Sequence, residues 1–378
     1  MACLNESDRA FMAEALKLAR QGLGLTRPNP AVGAVVVRDG KVVGRGWHHK
    51  AGTPHAEVHA LNDAGEAARG ASLYVTLEPC NHTGRTPPCT HAILDAGISR
   101  VVIGALDPNP SVKGGGMAFL ESHGLEVMEG CLCHECRMLV APFAKHSRTG
   151  IPWIRAKVAC SMDGRTATRT GHSQWITNSA ARFRGHELRR ISDAILVGRG
   201  TVDADNPSLT CRDGSGECCD PVRIILDSKL ATDLESTVYV QSSPVDTVVA
   251  AVKGLAPDYR VNEFQDRGIR VLLLPDSGHG TVDLQALVSQ LGDMGIQSLL
   301  VEGGAAVHGS FRDAGLVDEV FFFYAPIILG GEGARPAVGG LGAGRLEEAL
   351  GLCRFFFEEL DGNWLISGNV TDLDEIWI

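Results

Sequence analysis

The chain has 378 residues, 44% hydrophobic and 21% charged, with a net charge of -10. That length suits two domains, each able to bury its own core, and the composition is that of a globular protein and not of a disordered or fibrous one. The acidic balance argues against a nucleic-acid partner, whose phosphates are met by Lys and Arg, but leaves room for a local basic pocket for one phosphate.

Met1 to Phe11 carries Glu6 and Asp8 and lacks the basic and then apolar run of a signal peptide, so a cytoplasmic location is expected. The apolar run Phe321 to Leu329 falls far short of the ~20 residues needed to cross a bilayer and reads as a buried strand, so no membrane partner is expected. Eleven irregularly spaced cysteines in such a chain favour reduced thiols over disulfides.

In chain order, Ser7 is expected to cap a helix through Phe11, Met12, Ala15, Leu16 and Ala19 that ends at Gly22. Val32 to Arg38 and Lys41 to Trp47 flank Asp39-Gly40, a hairpin signal because both turn residues need positive φ. Then come a helix at 56–69, a strand at 72–77, a helix after Pro88, a strand at 100–105, a helix at 117–123, a strand at 125–128 and a helix to about Lys145. This alternation is an α/β domain. Ser147 to Pro152 has the composition of a linker, which divides the chain into domains at 1–147 and 148–378.

In the second half, strands are expected at 194–197, 222–227, 245–251, 269–274 and 298–301, after a first one at 153–159. Helices fit 180–191, 284–291 and 305–313. Glu319 to Leu329 and Arg354 to Val370 are expected to close a mixed sheet as long strands.

Pro54-His55-Ala56-Glu57 opens a helix, Glu78-Pro79-Cys80 ends a strand, and Cys89 follows after eight residues. One imidazole, His55, and two thiolates, Cys80 and Cys89, leave tetrahedral zinc a fourth position for water, as in a catalytic site. Glu57 is the expected proton carrier, with His55 in the helix cap and Glu57 in the first turn. The order His-x-Glu, Pro-Cys, Cys matches the zinc-deaminase pattern, except that nucleobase deaminases have two residues between the cysteines. A structural zinc site, or none, is the bland alternative, and His82 and His91 are rival ligands that lack a Glu two residues on.

The strings NPAVGAVVV, GWHHKAGTPHAE and TLEPCNHTGRTPPC resemble the deaminase half of the bifunctional deaminase/reductase family of riboflavin biosynthesis, over most of residues 5 to 146. The resemblance implies an N-terminal cytidine-deaminase-like αβα domain acting on a diaminopyrimidinone that carries a ribosylamino 5′-phosphate. It places Asn29 on the ring, His48 beside the pocket, Arg85 and Thr86 at ribose or phosphate, and Asp107 and Asn109 nearby. A guanidinium and a hydroxyl in a Gly/Pro loop suit a phosphate, although Asp-Pro-Asn-Pro is also a good turn. Cys131, Cys133 and Cys136 with His134 form a cluster that no second group completes as a metal site; Cys218 and Cys219 read as incidental thiols.

No Gly-x-Gly-x-x-Gly follows a first strand, so a Rossmann domain is not supported. Gly303-Gly304 between a strand and a helix can be a tight turn or a phosphate site. The strings AKVACSMDGRTATRTGHSQWIT, AILVGRGTVDADNPSLTCR, RIILDS and LLVEGGAAVHGSF resemble the reductase half of the same family over roughly residues 153 to 330. This implies a dihydrofolate-reductase-like domain using NADPH, with Ala159, Trp175, Thr201, Asp205, Ser228 and the loop Gly303, Gly304, Ala305, Ala306, Val307 and His308 at the cofactor. It sets Ser173, Arg189, Arg212 and Glu302 at the sugar phosphate, though Arg182, Arg184 and Arg190 show the helix to be basic in general. Asp205 is either a proton donor or a cap before Asn206-Pro207. The partner expected is a phosphorylated pyrimidine, and the sequence leaves a homo-oligomer open without fixing the oligomeric state; the rival reading is an RNA base deaminase with a C-terminal binding module.

Overall fold

The structure, a computed structural model, describes residues 4–82, 87–109, 115–212 and 220–377. It forms two compact units, Met1–Thr149 with Leu373–Ile378, and Gly150–Asp372.

The first unit runs α1 (Glu6–Gln21), β1 (Gly33–Arg38), β2 (Lys41–Trp47), α2 (Ala56–Ala64), β3 (Ser72–Leu77), α3 (Cys89–Asp95), β4 (Arg100–Ala105), α4 (Gly116–Ser122), β5 (Glu126–Glu129) and α5 (Cys133–Thr149). Its sheet has the order β2-β1-β3-β4-β5; β1 is antiparallel to both neighbours and the rest is parallel. One face buries Ala56, Ala60, Ile93 and Leu120 against Val36, Leu73 and Val101. The other buries Met12, Leu16, Cys136 and Val140 against Val35, Val37 and Tyr74. Alternate strand residues feed opposite layers, which makes the unit an αβα sandwich.

Three local expectations change. The cap of α1 is Asn5 and not Ser7: Asn5 Oδ1 accepts from Asp8 N and Asp8 Oδ2 accepts from Asn5 N, both at 2.9 Å, a reciprocal capping box that Ser7 is too far along to make. The helix begun at Ala56 breaks at Gly65, whose φ of 52° leaves the helical region, and continues only as a 3-10 turn to Ala68. Finally, α5 runs through Ser147 to Thr149, so only Gly150 to Pro152 remains as connection.

The second unit runs β6 (Trp153–Ser161), β7 (Arg165–Ala167), α6 (Ser179–Arg190), β8 (Ala194–Gly198), α7 (Arg199–Asp205), β9 (Val222–Leu226), α8 (Thr237–Val240), β10 (Thr247–Val252), α9 (Asp258–Asp266), β11 (Arg270–Leu274), α10 (Leu284–Asp293), β12 (Ser298–Gly303), α11 (Ala305–Asp313), β13 (Glu319–Ala325), β14 (Arg335–Pro336), β15 (Arg354–Leu360) and β16 (Asn363–Asn369). Nine strands lie in the order β11-β10-β9-β8-β12-β6-β13-β16-β15. They are parallel from β11 through β13, and β16 and β15 join antiparallel, so the sheet is mixed.

The first of the two closing strands stops at Ala325, well before Leu329. The second folds back on itself: Asp361 and Gly362 take φ of 51° and 84°, the same chemistry as Asp39 and Gly40 at 51° and 73°, and split the stretch into β15 and β16. The chain ends in α12 (Leu373–Trp377), which packs on α5 within the first unit, although the sequence boundary puts everything after residue 147 in the second.

Candidate active sites

In the first unit, β2 meets α2 without a gap because Gly46 has no side chain; a Cβ there would collide with the backbone of Ala56 and Ala60. That approach fixes the first turn of α2. His55 is its N-cap and Glu57, buried to 3% exposure, sits in the first turn. Cys80 lies just beyond β3 and Cys89 opens α3.

These elements converge. His55 Nδ1 is 3.2 Å from Cys89 Sγ and 3.5 Å from Cys80 Sγ, and the three donor atoms lie within 4.8 Å of one another. Tetrahedral zinc with bonds of about 2.0 to 2.3 Å needs ligand atoms roughly 3.5 Å apart, so this donor set fits the ion and leaves one position for water. Among the described residues no other His, Cys, Asp or Glu set does so. His91 instead faces the Phe119 ring, at 5.6 Å between centroids.

The Cys80 thiol is held well below the usual thiol range, chiefly because the Cys89 thiol donates to its thiolate, helped by His55 and by the Cys89 amide at 3.4 Å. Burial pushes Glu57 up to about 7, against the pull of the His55 charge. A carboxyl at that value can take and return a proton at neutral pH.

Asn29 and His48 are brought together beside this set. The carbonyl of Pro54 can only accept, so His48 Nδ1 donates to it at 3.1 Å, and His48 Nε2 accepts from Asn29 Nδ2 at 3.1 Å. The ring is buried, which lowers its pKa and keeps it neutral. Asp107 and Asn109 form their own turn, Asn109 N donating to Asp107 Oδ1 at 2.9 Å, and burial raises the Asp107 carboxyl. Arg85 and Thr86 lie outside the described residues.

Sequence reasoning missed Glu78. Its carboxylate accepts from Asp107 N at 3.1 Å and from Met117 N at 3.0 Å, tying the segments after β3 and β4 together. Its place next to Pro79-Cys80 was the available signal. The cysteines at 131 and 136 are packing groups: Cys136 Sγ lies where a Cβ on Gly104 would be, and both are buried in the core around Met12. Cys218 and Cys219 lie outside the described residues.

In the second unit, Thr201, Ser228 and Gly303-Gly304 each follow the carboxyl end of a parallel strand, β8, β9 and β12, which are neighbours. In open α/β sheets ligands bind outside those ends. Gly304 caps α11 with φ 74°, and a Cβ on Gly303 would stand 3.0 Å from Thr201 Oγ1. Ala159 lies on β6 beside β12's other flank. Ser173 Oγ donates to Asp205 Oδ1 at 3.2 Å, and the exposed Trp175 ring lies 4.7 Å from the Arg182 guanidinium. Val307 and His308 turn inward; His308 is buried and lines an apolar cavity with Val158 and Phe322.

Arg189 and Glu302 are brought together as an ion pair, and Lys157 Nζ stands 3.7 Å from the same carboxylate. Burial, helped by the nearby charges of Arg189 and Arg212, holds His186 down to about 4. Two cations, Arg189 and Lys157, thus meet one carboxylate, with Arg212 close to His186, and the surplus charge suits a phosphate. Lys157 and His186 were missed: strand alternation places Lys157 on the face opposite Ile154 and Ala156, but nothing local says what stands there.

The αβα unit with its His/Cys/Cys set and buried Glu, followed by a mixed-sheet unit with a glycine turn at a strand end, defines a zinc deaminase joined to a reductase. The profile "Cytidine and deoxycytidylate deaminase zinc-binding region" matches residues 5–105, and "RibD C-terminal domain" matches residues 152–351. The chain belongs to the RibD family of riboflavin biosynthesis proteins. The RibD protein of Bacillus amyloliquefaciens is 46% identical over 88% of each chain, and that of Aquifex aeolicus 44% identical over 92% of this chain and 94% of the relative. The structure of Acinetobacter baumannii RibD superposes with a TM-score of 0.82 at 37% identity, covering 97% of this chain and 99% of that one. A diaminohydroxyphosphoribosylaminopyrimidine deaminase/5-amino-6-(5-phosphoribosylamino)uracil reductase from Thermotoga maritima gives 0.81 at 37% identity, covering 96% and 98%.

Proposed function

We propose that the chain performs two successive steps of riboflavin biosynthesis: deamination of the diaminopyrimidinone ribosylamino 5′-phosphate in the first unit and reduction of its ribosyl group to ribityl in the second. The observation that carries this is the buried Glu57 carboxyl in the first turn of α2, next to one imidazole and two thiols at zinc-ligand spacing. His55, Cys80 and Cys89 would hold zinc, which would supply a water activated as nucleophile. Glu57 then carries a proton from that water to the ring nitrogen and on to the departing ammonia, while Asn29, oriented by His48, and Asp107 hold the ring.

In the second unit Ala159, Trp175, Thr201, Ser228 and the Gly303 to Ala306 turn would hold NADPH, which would supply a hydride to C1′ of the opened sugar. Asp205, oriented by Ser173, supplies the proton. Arg189, Arg212 and Lys157 offset the phosphate charge. One purified chain should release ammonia from the diaminopyrimidinone phosphate and then consume NADPH. Ammonia release without zinc, or no NADPH oxidation on the deaminated product, would refute the respective half.

Among the described residues no helix is long and apolar enough to cross a membrane. The acidic net charge of -10 supports a small-molecule substrate over a nucleic-acid partner.

A second copy of the chain is the proposed protein partner. β15 is the last strand of its sheet, pairs with β16 without a bulge, and exposes Phe355, Phe356 and Phe357 by 55 to 62%. An exposed apolar edge with neither Pro nor a bulge is open to pairing with another strand. Antiparallel pairing of two β15 strands about Phe356 sets Phe355 beside the partner's Phe357 and Arg354 beside the partner's Glu358, which makes the edge self-complementary in charge. Arg354→Glu and Glu358→Arg should each give monomers, and their mixture should give dimers. A monomeric unaltered chain at tens of micromolar in analytical ultracentrifugation would overturn this.

A further inference from the structure

The peptide group between Leu106 and Asp107 is held on both sides by side chains. Its carbonyl, Leu106 O, accepts from Trp377 Nε1 at 3.2 Å, and its amide, Asp107 N, donates to Glu78 Oε2 at 3.1 Å. Trp377 comes from the far end of the chain, 271 residues away from Leu106. We infer that α12, the chain's last helix, is a positioning element of the deaminase pocket, acting through Trp377 on the peptide from which Asp107 departs. The inference rests on Asp107 being a pocket residue.

The seat of α12 is specific. Arg137 of α5 places its Nη1 2.6 Å from Asp374 Oδ1 and its guanidinium 5.2 Å from the centre of the Trp377 ring. Leu373 and Ile376 are buried, and the Trp377 ring packs on the core cluster that contains Ala105, Cys136 and Val140. A five-residue helix has no stability of its own, so this docking is what orders it.

The consequence follows from the geometry of a peptide plane. With a donor on its carbonyl and an acceptor on its amide, the plane cannot rotate, and the Asp107 side chain leaves it in one direction. Without Trp377 the Leu106 carbonyl turns to solvent, only the Glu78 bond remains, and Asp107 with Asn109 samples a wider arc. The loss falls on substrate binding, not on the proton carried by Glu57. It leaves the zinc ligands, at the cap of α2, just beyond β3 and at the start of α3, untouched.

Trp377→Phe keeps the ring over Arg137 and removes only the N–H. In the full-length, zinc-loaded chain it should raise KM for the diaminopyrimidinone phosphate about five- to tenfold, the worth of one net hydrogen bond, with kcat and zinc content unchanged. Asp107→Asn should raise KM as well, and the double variant should be no worse than Asp107→Asn alone, since Trp377 acts through that residue. A chain ending at Asp372 should show the larger KM effect while still oxidising NADPH on the deaminated product. An unaltered KM in Trp377→Phe, or additive effects in the double variant, beside normal turnover by the unaltered chain would overturn this inference alone. Absence of ammonia release from the unaltered chain would overturn the deaminase reading itself.

Discussion

Arg189 and Glu302 meet through two hydrogen bonds, Nε to Oε1 at 2.7 Å and Nη2 to Oε2 at 2.8 Å. Glu302 is held down to about 2: burial raises it, but the charges of Arg189 and Lys157 outweigh that. Arg189 also donates to the Thr210 carbonyl at 3.0 Å, so its guanidinium is engaged on two sides before any substrate arrives. An arginine so held presents its charge to a phosphate at a fixed place.

Glu302→Gln leaves Arg189 buried without a counter-charge and should destabilise the second unit by about 3 kcal/mol. Because the folded-state value lies below the unfolded one, the pair stabilises above about pH 4.5 and its contribution fades as pH falls toward 2. Denaturant unfolding across that window should show an acid-side decline in the unaltered chain that is shallower in the variant. An unchanged midpoint would mean the pair contributes nothing net.

Glu57→Gln keeps all three zinc ligands and should keep the metal, while deamination falls by a factor on the order of 10² or more. Metal analysis beside an ammonia assay checks both halves. Full activity with zinc bound would remove Glu57 from the role of proton carrier.

Cys89→Ser should lower zinc content per chain, since one of only three protein ligands is lost. Cys133→Ser should leave zinc intact, because that thiol belongs to no ligand set among the described residues. Zinc loss in the second variant and not the first would reverse the assignment of ligands.

A fragment from Gly150 to Asp372 should fold alone and oxidise NADPH on the deaminated substrate without zinc, for it contains one complete compact unit. In that fragment Arg212→Ala should raise KM and spare kcat, as expected for a cation that binds the same phosphate in ground and transition states. A folded fragment that neither binds nor oxidises NADPH would refute the reductase assignment.

What the sequence by itself determined is local or stereotyped. The Asp39-Gly40 hairpin, the cap position of His55 and the strand-to-helix turn at Gly303-Gly304 each depend on backbone preferences within a few residues, and the motif strings carried the family. Even short-range signals can be overlooked. Asp361-Gly362 is the same turn as Asp39-Gly40, yet the run of phenylalanines before it read as one continuous strand.

Only the tertiary structure decided which distant groups meet. Glu78 faces Asp107 because β3 and β4 are adjacent parallel strands; Lys157 meets Glu302 because β6 lies beside β12; and Trp377 reaches Leu106 because α12 docks on α5. None of these pairs leaves a periodic trace, since each partner obeys its own element's pattern equally well with or without the other. Which charge stands opposite which, and so which carboxyl lies near 7 and which near 2, is set by burial and long-range packing, and these come into being only when the sheets close.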